Sequence, residues 1–145
     1  MRLVDRYREY AQAFEDAYAD DEWSRLETFF TEDAVYDGGE GPDDVARGRG
    51  PLLERLKANV DAFDRRFDAR QFRFVESPKE DSGRVRVKWE FECTKSGLPA
   101  YAMSGTETAE FEGDRIKLLR DEYDDGVLAS AEAWMSQHGA FLRDA

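Results

Sequence analysis

Two acids stand where apolar alternation would carry them into a core, and a third stands at the end of a short strand. Asp121 alternates with Leu119 and Tyr123 in the run Arg115 to Tyr123. A carboxyl that projects into an apolar pocket is desolvated, which raises its pKa toward the range useful for proton transfer. The other readings of Asp121 are a surface acid, or a partner of Arg120 or Arg49. Glu107 shares its parity with Tyr101, Met103 and Gly105 on the preceding run. A hairpin register that sets Glu107 opposite Asp121 makes a close carboxyl pair. Two like charges in a dry site do not both ionise cheaply, so one member keeps a proton. A slip of one residue turns one acid outward, and the alternating Thr106 and Thr108 leave the register open. Asp37 ends a short apolar run before Gly38-Gly39 and is either a third acid of the site or a turn residue bonding nearby backbone.

Aromatic and thioether side chains could line such a pocket: Trp23, Trp89, Phe91, Tyr101, Met103, Tyr123 and Trp134. For any one of them alone, ordinary core packing is the plainer reading. His138 is the only histidine and lies toward the apolar side of the last helical stretch. A Ser-His-Asp set would need a serine and an acid in place, for which Ser104 and Ser130 are no more than possibilities, so a partly buried helix histidine is the plainer reading.

Other chemistries lack their residues. Asp37, Glu40, Asp43 and Asp44 do not follow calcium-loop spacing and are interrupted by Pro42. Cys93 is the only cysteine, which excludes an internal disulfide and a cysteine-clustered zinc site. With neither a histidine pair nor a phosphate-cradling glycine motif, no metal and no organic cofactor is expected. The net charge of -12 repels phosphate backbones, so nucleic acid is not expected as a partner. The acids are spread along the chain, either as a solubilising surface or as an adaptation to high salt. No apolar run approaches the ~18 residues of a membrane span. The start Met-Arg-Leu-Val-Asp does not read as a secretory signal, so a cytoplasmic protein without membrane contact is expected.

The elements that must position these residues follow from periodicity. Leu3, Tyr7, Tyr10, Ala11, Phe14, Ala17 and Tyr18 form one helical stripe. Asp20 or Asp21 caps a second, shorter helix carrying Trp23, Leu26, Phe29 and Phe30. Ala34-Val35-Tyr36 reads as a short strand, and Asp37 to Pro42 as irregular. A third helix starts at Gly50-Pro51 with Leu52, Leu53, Leu56, Val60 and Phe63 on its stripe. After Phe67 the period becomes two. Phe72 and Phe74 mark one strand. Val85, Val87, Trp89, Phe91 and Cys93 mark a long second strand. Tyr101 to Phe111 and Arg115 to Tyr123 form a hairpin around Glu112-Gly113-Asp114. A helix from about Ala129 to Leu142 carries Ala131, Trp134, Met135, His138, Phe141 and Leu142 inward. The expectation is one α+β domain over residues 1–145, with helices packed on a curved antiparallel sheet and a pocket in the gap between them.

The stretch Trp23 to Tyr36, the Gly48-Arg49-Gly50 before the third helix, and the ending Phe111 to Ile116 through Arg120 to Asp124 resemble the nuclear transport factor 2-like superfamily, in its SnoaL-like and ketosteroid-isomerase-like branch. That resemblance covers roughly residues 5–125. It implies a cone-shaped domain with an apolar cavity, commonly dimeric through the outer sheet face. It also implies positions for the isomerase chemistry. The general base falls at Gly38, beside Asp37. The oxyanion tyrosine falls at Phe14, and the protonated acid at Glu107. One role of three is retained, which rejects steroid isomerisation as the specific activity. The limonene-epoxide-hydrolase branch implies an acid at Asp121. Its partner arginine and second acid are missing from the long strand, where Trp89 and Phe91 face inward.

Two classes of function remain. One is a cofactor-free acid/base enzyme of isomerase, dehydratase, hydrolase or cyclase type acting on a hydrophobic small molecule. The other is a non-catalytic ligand-binding or dimeric module of the same fold. A homodimer through the outer sheet face is expected, because Ile116 and Leu118 alternate out of phase with Leu119 and Asp121.

Overall fold

The computed structural model describes residues 2–143. Helix α1 spans Leu3–Asp20 and buries Val4, Tyr7, Tyr10 and Ala17, the steps of three and four that place side chains on one face. It ends where Asp21 enters the left-handed region at φ 62° and its N–H donates to the Ala17 carbonyl at 2.7 Å. The expected second helix is a tight 3-10 segment, Trp23–Phe29, and Phe30 already belongs to the next strand. That strand, β1, covers Phe30–Asp37, longer than the Ala34-Val35-Tyr36 core read from sequence. It is followed by β2 at Val45–Arg47 and α2 at Arg49–Ala62, whose buried residues are Leu52, Leu56 and Val60. The remaining strands are β3 (Ala69–Phe74), β4 (Lys79–Asp81), β5 (Arg84–Thr94), β6 (Tyr101–Glu112) and β7 (Arg115–Tyr123), before α3 at Val127–His138. The three-residue strands β2 and β4 carry too little pattern to be read from sequence.

The strands form one curved, open sheet in the order β2-β1-β7-β6-β5-β3, with β4 on β5. The helices lie against its concave side, giving the α+β cone. The sheet is mixed rather than antiparallel, because β1 runs parallel to β7. All other pairs, β1–β2, β3–β5, β4–β5, β5–β6 and β6–β7, are antiparallel. The exception joins segments some eighty residues apart, whose pairing no local pattern reports. One core cluster sits between α1, α2 and the sheet and includes Tyr7, Leu26, Phe30, Leu52 and Leu119. A second lies under α3 and holds Phe67, Cys93, Tyr101, Ala131 and Leu142.

Two expectations about facing are corrected. Irregular pairing between Glu110 and Phe111 shifts the β6–β7 register, so Ile116 faces Phe111 and is fully buried. The outer apolar patch inferred from Ile116 and Leu118 is therefore reduced to half-buried Leu118. The last helix ends at His138, and the 3-10 turn Gly139–Phe141 sends Phe141 out to 67% exposure. Among the described residues no helix is long and apolar enough to cross a membrane.

Candidate functional site

The concave side of the sheet and the inner faces of α1 and α2 enclose a chamber of about 180 Å³. Its position follows from parity. Residues paired across β5, β6 and β7 share a face, so Val87 sets the line on which Glu107 and Asp121 meet, and Trp89 that of Gly105 and Tyr123. Glu107 and Asp121 are direct cross-strand partners, the register that makes a carboxyl pair. Both line the chamber.

Each acid receives a tyrosine hydroxyl. Tyr7 of α1 donates to Glu107 Oε1 at 2.6 Å, and Tyr36 of β1 donates to Asp121 Oδ2 at 3.0 Å. The first is as short as hydrogen bonds from a hydroxyl to a carboxylate usually are. Burial first, and then the Glu107 charge and a hydrogen bond with Glu107, push the Asp121 carboxyl well above the ordinary aspartate range, against a lowering contribution from the Tyr36 hydroxyl. Burial and the same two acids hold Tyr7 and Tyr36 well above the usual phenol range, so both stay protonated donors. Among the described residues neither acid has an arginine or lysine within ion-pair distance.

Glycine makes two close approaches possible here. A Cβ at Gly105 would lie 2.3 Å from the Glu122 carbonyl and 2.9 Å from Trp89 Cζ2, so its absence lets the indole lie across β6. At Gly39, with φ 85°, a Cβ would lie 2.2 Å from the Asp121 carbonyl. The loop after β1 thus seats on the backbone of β7 behind the acid.

A second polar group occupies another wall of the chamber. Arg70 of β3 has the inward parity of Phe72 and Phe74, and its side chain is 7% exposed. Its Nη1 donates to both oxygens of Glu15 at 2.7 Å. Its Nε lies 2.9 Å from Asp64 Oδ2 without the alignment of a hydrogen bond. Burial pushes the Asp64 carboxyl up to about 6, against the lowering effect of Arg70.

The other residues singled out from sequence divide. Trp89, Phe91 and Tyr123 line the chamber beside the acids. Tyr101 and Met103 line an outer vestibule of about 770 Å³, which shares Tyr36, Asn59, Asp64, Phe91 and Tyr123 with the chamber and runs under Leu128, Ala131 and Met135 of α3. Trp23 is packed edge-on behind Phe14, with its indole N–H on Asp21 at 2.8 Å. Trp134 donates to the Pro99 carbonyl at 3.2 Å and His138 lies against its ring, so both belong to the docking surface of α3. Asp37, one residue past inward-facing Tyr36, turns away. Its carboxylate accepts from the Gly39 N–H at 3.0 Å and faces Arg120 at 3.4 Å, the turn geometry open in the sequence reading.

Tyr7, Tyr10, Tyr36, Arg70 and Asp64 were not singled out from sequence, although two signals were present. Tyrosines on a buried helical stripe need partners for their hydroxyls. Arg70 sits at the parity of two phenylalanines. Among the described residues no group of three or more histidine, cysteine, aspartate or glutamate side chains is arranged to hold a metal ion.

The sequence profile of the SnoaL-like domain family matches residues 11–119. No curated protein sequence matches the chain. Solved structures with the same fold include Bal32a from a soil-derived mobile gene cassette, 17% identical over 92% of this chain and 99% of that one, with a TM-score of 0.67. An NTF2-like protein from Anabaena variabilis is 16% identical over 85% and 90% of the two chains, with a TM-score of 0.68. A candidate polyketide cyclase from Xanthomonas campestris is 19% identical over 92% and 98%, with a TM-score of 0.62. At these identities the likeness is one of fold.

Proposed function

The chain belongs to the SnoaL-like domain family, and we propose that it is a cofactor-independent acid/base enzyme acting on a hydrophobic small molecule, with Glu107 and Asp121 as its proton-transferring pair. The observation that carries this reading is the pairing of two chamber-lining carboxyls across β6 and β7, each held by a tyrosine hydroxyl and neither neutralised by a cation among the described residues. Tyr7 fixes one oxygen of Glu107 by its hydrogen bond, and the carboxyl lines the chamber, which places it to accept a proton from a ligand there. The upward shift of Asp121 suits it to give one. One turnover then removes a proton from the substrate at Glu107 and delivers another from Asp121 to an oxygen or carbon that gains electron density. Because the carboxyls face each other, a transfer from Glu107 back to Asp121 restores the starting state. The net change is an isomerisation, a dehydration or a ring closure, and a solved relative of the same fold is described as a candidate polyketide cyclase.

The alternative is a module that only holds a ligand. Acids paired to arginines in an aromatic-filled cavity would favour it, and the tyrosine partners of Glu107 and Asp121 argue for the enzyme instead. The test is proton exchange: wild type, Glu107→Gln and Asp121→Asn are incubated in deuterated buffer with a panel of cyclic ketones, and label at the carbon next to the carbonyl is followed by NMR. Catalysed exchange in wild type that falls by roughly 10²–10⁴ in either variant is expected, the usual weight of general acid–base catalysis. Exchange equal to buffer alone, or unchanged in both variants, refutes the assignment.

A further inference from the structure

We propose that the chamber is a cation site, whose occupant is an ammonium group on a small apolar body, seated between the rings of Trp89, Phe91 and Tyr123 and the Glu107–Asp121 pair. The charge of the lining comes first. Four carboxyls line the chamber, those of Glu15, Asp64, Glu107 and Asp121, against one cation among the described residues, Arg70. Arg70 is already matched, by Glu15 at 2.7 Å and Asp64 at 2.9 Å. Glu107 and Asp121 have tyrosine hydroxyls only, and both are half-buried rather than sealed. Even while Asp121 holds its proton, the charge of Glu107 acts on it. A charge left without a counter-ion in a desolvated site is costly, and a cationic ligand supplies the counter-ion.

Register places the rings beside the acids. Trp89 pairs with Gly105 and Gly105 with Tyr123, so the two rings meet across a residue without a side chain, edge to face at 5.9 Å. Phe91 adjoins the indole at 6.1 Å. Phe91 and Tyr123 are half-buried and keep surface toward the chamber they line. Gly105 and Tyr123 lie two residues along their strands from Glu107 and Asp121, a separation of roughly 7 Å at the usual strand rise. A cation over the rings is therefore within reach of both acids. Aromatic faces attract cations, and more strongly where water is excluded. Tyr10 is an independent sign of a polar occupant. It is 4% exposed and lines the chamber, and its hydroxyl makes no hydrogen bond to a described residue. That oxygen is not sealed in as the Trp89 and Arg70 nitrogens are, so it is open to a ligand and able to accept from an ammonium N–H. The chamber, about 180 Å³, is comparable to the ~150 Å³ cavity that takes benzene, so the body carrying the charge is small. Occupancy by a cation stands on this lining. That the same cation is the substrate, its charge easing the loss of the Asp121 proton, rests on the acid/base reading above.

The experiment is an NMR titration of the whole chain with choline and with 3,3-dimethylbutan-1-ol, its neutral isostere, at fixed ionic strength. Choline is expected to bind more tightly. The readout is the ratio of the two affinities, because their different transfer from water cancels between proteins. The ratio is expected to fall about tenfold in Glu107→Gln, which still accepts from Tyr7 but has lost the charge. It should stay unchanged in Glu122→Gln, which removes the same charge from an exposed position on the outer face of β7. A second measurement needs no variant. A cation favours the charged carboxylate, so saturating choline should lower the midpoint of the Asp121 carboxyl-carbon titration by about one pH unit, and the alcohol should not lower it. This decides the matter if Glu107→Gln does not fold. Equal affinity for the two probes, or binding of neither, overturns the proposal. So does a ratio unaltered in a folded Glu107→Gln, a ratio that falls as far in Glu122→Gln, or an Asp121 midpoint that choline leaves in place. Proton exchange with cyclic ketones is a separate readout, so failure of the cation site and failure of the acid/base reading are told apart.

Discussion

Replacing Asp121 by asparagine keeps the side-chain volume, accepts from Tyr36 and removes the titrating proton. The sign of the effect follows from linkage. The folded carboxyl is raised above its unfolded value of ~3.9, so between the two values the folded state binds more protons than the unfolded state. Its stabilising contribution is complete below the unfolded value and is lost as pH rises through the window. The loss has a ceiling of about 1.4 kcal/mol per pH unit for one proton. Asp64 adds a contribution of the same sign, but its folded value of about 6 confines that loss to the range below pH 6. Over about two units it amounts to at most roughly 3 kcal/mol. Asp64 and Cys93 are present in both proteins, so the difference between wild type and Asp121→Asn isolates Asp121. Urea unfolding of wild type and Asp121→Asn at half-unit steps from pH 4 to 9 is the assay, with carboxyl carbon shifts followed by NMR on the same samples. Wild-type stability should fall more steeply than that of the variant as pH rises above ~3.9, until the Asp121 carboxyl has titrated. Parallel curves over the whole range, or an Asp121 carboxyl titrating near ~3.9, would refute the reasoning and remove the proposed general acid.

Three further outcomes follow from the same contacts. Tyr7→Phe deletes a hydrogen bond to Glu107 from a residue that is 1% exposed, and should cost about 1.5–3 kcal/mol in urea unfolding at neutral pH, the range for hydrogen bonds to charged groups. Gly105→Ala places a methyl 2.3 Å from the Glu122 carbonyl, so the β6–β7 pairing must open locally. A loss of about 1–3 kcal/mol and altered Trp89 fluorescence should report it. Cys93 is fully buried, and its thiol is pushed up to about 12 chiefly by burial. It should resist a thiol reagent in the native state and react promptly in urea.

Much of this architecture was legible in the sequence because periods of 3.6 and 2 act locally. The stripe of α1 and the alternation from Val85 to Cys93 both hold in the structure. The hairpin around Gly113 brought Glu107 opposite Asp121, one of the registers the sequence allowed. What was hidden depended on contacts between distant segments. The parallel β1–β7 pair joins residues with no shared local signal. Ile116 changed face because the strand pairing is irregular near Phe111, and a strict two-residue count cannot see a bulge. Tyr7 and Tyr36 were read as core or strand residues, and their hydroxyls gained meaning only once α1 and β1 met β6 and β7.

The energetics of the pair bear on why it is there. Two facing carboxyls in a desolvated chamber oppose folding, and hydrophobic residues of similar volume are often neutral or stabilising at such positions. Glu107 and Asp121 interrupt inward strand faces that otherwise carry Ala109, Phe111 and Leu119, all buried. Tyr7 and Tyr36 reduce the penalty without removing it, since each supplies one donor to a group able to accept several. A fold that needed only a packed centre would gain from leucine or valine at both sites, and the tyrosines could then be phenylalanines. The chain instead devotes four side chains from four elements to holding a titratable pair on the wall of an open chamber. Such local conflict with stability is what a functional site requires, and it weighs toward chemistry or ligand recognition at Glu107 and Asp121 rather than a structural role.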